Sequence, residues 1–138
     1  MSDVSGQAAA TAARLGLTAG DNVGEIGYDD DVDFDLRDAV EAITTTELLD
    51  EDADEVLDSV LLWWREDDGD LVDALVDSLT DLVRGGAIWL VTPKVGRPGA
   101  VDAADVAEAA PIAGLSTTTT VAVGREWTGT RLVAPKNV

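Results

Sequence analysis

Between residues 29 and 35 the chain reads DDDVDFD, five carboxylates (Asp29, Asp30, Asp31, Asp33 and Asp35) in seven positions. Carboxylates this dense invite a calcium reading. A helix–loop–helix calcium loop requires glycine at its sixth position and a bidentate glutamate at its twelfth. Counted from Asp29, those positions hold Phe34 and Val40, so that chemistry fails. Two readings remain. The aspartates cap a helix, accepting from its open backbone N–H groups and suiting its dipole, or they form an acidic patch for a basic partner.

The stretch TPKVGRPG (92–99) has the opposite character. Lys94 and Arg97 are concentrated cations on a loop shaped by Pro and Gly, directly after an apolar run. Ligands of open α/β sheets collect beyond the carboxyl ends of the strands. The loop is therefore a candidate to hold an anion or a partner carboxylate, the alternative being pairing with the protein's own acids. In REWTG, Trp127 lies next to a turn and between Arg125 and Arg131. Trp and Arg are enriched at protein interfaces, and this position predicts a partly exposed indole. Trp63, Trp64 and Trp89 fall in apolar runs and are expected in the core. The candidate partner- or ligand-binding set is Lys94, Arg97, Trp127, Arg125, Asp29, Asp30 and Asp31.

Other chemistries are excluded by composition. The 138 residues contain no cysteine and no histidine. Disulfides, thiolate nucleophiles, Ser-His triads and Cys/His metal sites are absent with them. Acid–base work would fall to Asp, Glu, Lys or the single tyrosine, Tyr28. No cofactor is expected, and a binding module is favoured over an enzyme.

The net charge of −19 is lopsided. Residues 21–81 hold 23 acidic side chains against Arg37 and Arg65, whereas residues 82–138 hold six basic side chains against four acidic ones. Phosphate backbones require clustered cations, so direct nucleic-acid binding is disfavoured. An acidic face suits solubility or a basic protein partner. The start of the chain lacks a basic leader with a long apolar core, and no run reaches the ~18 apolar residues of a membrane span. A cytoplasmic protein without membrane contact is the expectation.

The elements that must position these residues follow from periodicity. ATAARLGL suits a short helix, and a short strand is expected over 23–27. Val32, Leu36, Ala39, Val40 and Ile43 follow helical spacing, so a helix begins within the aspartate run and ends near Thr44. Residues 47–59 suit a short helix or a loop. SVLLWW is continuously apolar, which marks a strand covered on both faces. Successive strand side chains alternate in direction, so Trp63 and Trp64 belong to opposite faces. REDDGDLVDALVDSLTDLVRGG reads as the strongest helix. Its early acids act as caps, and RGG acts as its basic, glycine-ended stop. AIWLVTPK is a second buried strand. DAADVAEAAPIAG is a short helix that Pro111 ends or kinks. STTTTVAV and EWTGTRLVAPK form a closing hairpin with a turn near Gly124.

Strands alternating with helices imply a three-layer α/β domain. The expected architecture is a mostly parallel central sheet of about five strands, helices on both faces and a C-terminal antiparallel hairpin. This domain spans residues 12–138 and follows a flexible stretch, 1–11.

RLGLTAGDNV, GGAIWLVTPKVGRPG and AGLSTTTTVAVGREWTGTRLV resemble the bacterial family known as domain of unknown function 3052, DUF3052. DDDVDFDLRDAVE and LLWWREDDGDLVDALVDSLTDL resemble its actinobacterial branch. The resemblance spans roughly residues 12–135 and implies no activity. The layout is also similar to the second half of a class I methyltransferase. That family places a glycine-rich loop after its first strand so that backbone can approach the cofactor. The corresponding stretch here is GEIGYDDD, in which Gly24 and Gly27 are followed by three aspartates.

Three functions are consistent with these features. The favoured one is a non-catalytic acidic module that binds a protein partner, basic in character, as an adaptor or regulator. The second is a small-molecule binder of adenosyl or nucleotide type, or a degenerate methyltransferase-like enzyme, with a pocket between GEIGYDDD, WWREDD and TPKVGR. The third is a nucleic-acid mimic that occupies a DNA-binding protein.

Overall fold

Every residue from Ser59 to Trp64 is buried, and the chain alternates through them between two separate cores. Leu61 and Trp63 pack into one, Val60, Leu62 and Trp64 into the other. This is the alternation expected of a strand covered on both sides.

The computed structural model describes residues 4–134. In chain order the elements are α1 (Val4–Ala13), β1 (Val23–Ile26), α2 (Phe34–Thr44), β2 (Leu57–Trp63), α3 (Leu71–Ser78), β3 (Leu82–Pro93), α4 (Ala103–Ile112), β4 (Ser116–Val123) and β5 (Trp127–Val133). The five strands form one sheet in the order β1-β2-β3-β5-β4. β1, β2 and β3 are parallel, whereas β5 runs antiparallel to β3 and β4 antiparallel to β5. The sheet is therefore mixed, which corrects the mostly parallel expectation. The reason is the hairpin: after the turn at Gly124, β5 inserts beside β3 and leaves β4 at the edge.

The first core joins Ala12 and Leu15 near α1, and Leu36 and Val40 of α2, to Val23, Leu61, Trp63, Trp89, Val91 and Trp127. The second joins Leu75 of α3, and Val106, Ala109 and Ala110 of α4, to Val60, Leu62, Ile88, Leu90 and Leu132. Three helices begin at aspartates whose side chains accept from the first turn: Asp33 from the Leu36 N–H, Asp70 from the Asp73 N–H and Asp102 from the Ala104 N–H.

Several expectations are corrected. Helix α1 starts at Val4, ahead of the expected ATAARLGL segment. Within REDDGD only Asp70 caps α3, and the helix ends at Ser78, not at the glycines. Leu82 and Val83 satisfy the helical spacing, but Leu82 pairs with Leu57 in β2 and opens the long strand β3. The register then jumps to Ser59 opposite Ala87, so β3 bulges through Arg84, Gly85 and Gly86. At Gly86 a Cβ would stand 2.8 Å from the Asp58 carbonyl oxygen, so the backbone there leaves no room for a side chain. RGG is thus a strand bulge. Residues 47–56 form no helix, but Leu49 makes an isolated parallel bridge to Gly24. The last residues of EWTGTRLVAPK lie outside the described residues.

Candidate functional site

The Leu49 bridge determines where a site can form. The Glu25 N–H donates to the Leu49 carbonyl at 2.7 Å, and the Leu49 N–H donates to the Val23 carbonyl at 2.9 Å. The chain leaves β1, passes through α2, returns along one side of β1 at Leu49, then crosses to β2 on the other side. The order of parallel segments reverses at β1. Ligands of open α/β sheets sit beyond the carboxyl end of the strands at such a reversal.

Gly27 occupies that position, beside a cavity of about 280 Å³ that Glu51, Trp63, Arg65 and Asp68 also line, and side chains of the same chain take both of its backbone polar groups. Its N–H donates to Glu51 Oε2 at 3.4 Å, and its carbonyl accepts from Arg65 Nη1 at 2.8 Å. Its φ is +82°, and a Cβ there would overlap the Trp63 carbonyl oxygen. Arg65, directly after the two tryptophans, fills the space between the loops. It is ion-paired with Asp31 and Asp68, and its guanidinium lies 5.3 Å from the Trp127 ring centroid. Burial works against this cation, but the bonds to Asp31 and Asp68 outweigh it and raise its pKa above the ordinary guanidinium value. The hydrogen bond from Arg65 holds the Asp31 carboxyl below the usual aspartate range, against a smaller opposing effect of burial.

GEIGYDDD and WWREDD meet here, while TPKVGR (92–97) is represented only by its neighbour Gly99. The Glu66 N–H donates to the Gly99 carbonyl at 2.9 Å, and Arg65 bridges to Asp31. The individual candidate residues behave differently. Trp127 is buried, which corrects the exposed expectation: its ring meets Trp63 edge-to-face at 5.0 Å, and Arg65 covers it. Lys94 Nζ donates to the Gly124 carbonyl at 3.2 Å, and Arg97 pairs with Glu126 at 3.4 Å. These cations brace the hairpin turn. Asp31, Arg125 and Trp127 line a cavity of about 200 Å³ between α1, the loop after β1 and that turn. Asp29 and Asp30 are exposed on the same loop outside this cavity.

A second constellation was not among the sequence candidates. Glu25, buried in β1, accepts from Arg37 Nε at 2.6 Å, Arg37 Nη2 at 2.8 Å and Trp63 Nε1 at 2.9 Å. The hydrogen bond to Glu25 raises the Arg37 pKa further, against the effect of its own burial. The Arg37 guanidinium stacks 4.7 Å from the Tyr28 centroid, and Tyr28 meets Phe34 edge-to-face at 6.1 Å. Beside this pair lies an open cleft of about 500 Å³, whose walls include Tyr28, Arg37, Asp50, Glu51 and Asp52. One signal was available in sequence: Arg37 and Arg65 are the only cations between residues 21 and 81.

Among the described residues, no group of three or more acidic side chains is arranged to hold a metal ion. No described helix is long and apolar enough to cross a membrane.

The fold is methyltransferase-like. A SAM-dependent methyltransferase from Aquifex aeolicus superposes with a TM-score of 0.62 at 13% identity, over 91% of this chain and 88% of its own. NcsB1, an O-methyltransferase from neocarzinostatin biosynthesis solved with S-adenosyl-L-homocysteine, gives 0.68 at 12% identity, over 91% of this chain and 52% of its own. The chain belongs to the DUF3052 family, described as a protein of unknown function, which it matches over residues 12–136. It is 52% identical over 126 residues to the uncharacterized protein Rv2239c of Mycobacterium tuberculosis (strain ATCC 25618 / H37Rv). The uncharacterized protein Mb2263c of Mycobacterium bovis is equally similar, and in both cases 91% of this chain and 79% of the relative are covered.

At Gly27 the loop after β1 lacks the free backbone that an S-adenosyl group would approach in a methyltransferase-like fold. A glycine-rich loop serves such a ligand by leaving backbone free for close approach. Here both backbone polar groups of Gly27 are taken by side chains of the same chain, and its α-carbon rests on the Trp63 carbonyl.

Proposed function

We propose that this chain is a non-catalytic module on a methyltransferase-like fold that binds a basic segment of a partner protein, as an adaptor or regulator. The observation that carries this reading is the engagement of the Gly27 backbone by Glu51, Arg65 and Trp63. It favours a crevice that serves as structure, and it leaves the acidic surface as the chemistry on offer. The absence of cysteine and histidine from the sequence adds to this.

A second reading, an adenosyl binder, has one feature in its favour. Asp50 and Glu51 follow Leu49 at the strand-order reversal, where carboxylates accept from ribose hydroxyls in dinucleotide folds. Calorimetric titration with S-adenosyl-L-homocysteine separates the two. The partner-binding reading expects no saturable heat, and a stoichiometric isotherm overturns it. Capture of partners across a salt ladder complements this, because surface attraction fades as the Debye length shortens from about 10 Å at 0.1 M to about 3 Å at 1 M. A packed interface resists that change.

A further inference from the structure

The six aromatic residues divide sharply by location. All four tryptophans are buried, whereas Tyr28 and Phe34 are 49% and 46% exposed and touch each other. Large exposed aromatics rimmed by polar groups mark interaction surfaces. This pair is also held rigidly from below. Trp63, wholly buried, donates to Glu25; Glu25 grips both arms of Arg37; and Arg37 stacks on Tyr28. Rings held in place before binding lose little freedom when a partner arrives.

The cleft beside the pair opens between the end of β1 and the segment that follows the Leu49 bridge, on the side of β1 away from β2. Its charge is the inverse of a phosphate site. The one cation in its wall, Arg37, is neutralised by Glu25, while Asp50, Glu51 and Asp52 face the same cleft. An aromatic face attracts a guanidinium or ammonium, and carboxylates complete the pairing.

We infer that the cleft between Tyr28 and residues 50–52 is the docking site for an arginine- or lysine-bearing peptide segment of the partner, with a cationic side chain seated against the Tyr28–Phe34 pair. This rests on the partner-binding reading above and assigns it a place.

The test is fluorescence anisotropy with a dye-labelled synthetic peptide carrying several arginines, at about 0.15 M salt, where the Debye length is ~8 Å. The site predicts that Tyr28→Ala weakens binding about tenfold or more, which is ~1.4 kcal/mol. Phe34→Ala weakens it as well, and Tyr28→Phe, which keeps the ring, binds close to wild type. Asp73→Asn with Asp77→Asn, on the exposed face of α3, removes two charges elsewhere and changes affinity less than about twofold. Melting curves establish that each variant is folded. If Tyr28→Ala and the α3 pair weaken the peptide equally, attraction is diffuse: the cleft is wrong and the basic-partner reading stands. If the wild type does not hold the peptide at this salt, both fail.

Discussion

Arg65 donates to the carbonyl oxygen of Gly27 at 2.8 Å, across 38 positions of sequence. The contact spans the loops beyond the carboxyl ends of β1 and β2, where both residues line a cavity of about 280 Å³. Arg65→Ala deprives Gly27, Asp31 and Asp68 of their partner. An unsatisfied acceptor costs about 1–3 kcal/mol, and a loss of that size is expected in denaturant unfolding. Arg65→Lys recovers only part of it, because an ammonium cannot reproduce the fork that spans Asp31 and the carbonyl.

Gly27 and Gly96 share a positive φ, +82° and +91°, but differ in surroundings. Around Gly96 nothing lies within 4 Å of an added Cβ, whereas at Gly27 it meets the backbone of Trp63, which cannot rotate away. Gly96→Ala should cost about 1–2 kcal/mol from backbone strain alone. Gly27→Ala should cost about 3 kcal/mol or more, since overlap is added to strain. Equal costs in paired melts would show that the loop after β1 does not sit on β2.

Trp63 is fully buried and carries two interactions, its edge against Trp127 and its N–H to Glu25. Trp63→Ala should lower stability by about 3–5 kcal/mol. Trp63→Phe keeps most of the packing but removes the donor, for an expected loss of about 1–3 kcal/mol. A loss under about 1 kcal/mol for the alanine variant would displace β2 from the centre of the sheet.

The Asp31–Arg65 pair makes stability pH-dependent on the acid side. The hydrogen bond from Arg65 depresses the folded-state pKa of Asp31, so the unfolded chain binds this proton more readily. The contribution is complete above the ordinary aspartate value, about 3.9, and is lost as pH falls through it toward the depressed value. Asp31→Asn should flatten the slope of unfolding free energy below about pH 5 and leave it unchanged near neutrality. Asp31 is more than half exposed, so the effect stays within about 1 kcal/mol.

Lys94 and Arg97 brace an exposed turn. Lys94→Glu with Arg97→Glu should cost less than about 1 kcal/mol, read as a small shift in melting temperature. A larger loss would assign these cations a structural role beyond bracing that turn.

The parts of the fold set by local chemistry were legible in sequence. The apolar run of β2, the opposite faces of Trp63 and Trp64, the start of α2 in the aspartates and the hairpin turn at Gly124 all follow from neighbours in the chain. The boundary between α3 and β3 was not legible, because Leu82 and Val83 satisfy both a helical stripe and a strand. Only Leu57, some 25 positions away, decides between them. The site was hidden for the same reason. Arg65 and Arg37 are surrounded in sequence by acids, and the partners they select, Asp31 and Glu25, are 34 and 12 positions distant. Trp127 looked exposed because the ring that buries it belongs to another strand.

The division of aromatic residues has an optical consequence. With Trp63, Trp64, Trp89 and Trp127 all inside and the single tyrosine outside, indole emission comes entirely from the interior and reports on whether the protein is folded. The phenol spectrum comes from one side chain, Tyr28, at the mouth of the cleft. A red shift of indole emission therefore reports opening of the core, because no tryptophan starts at the surface.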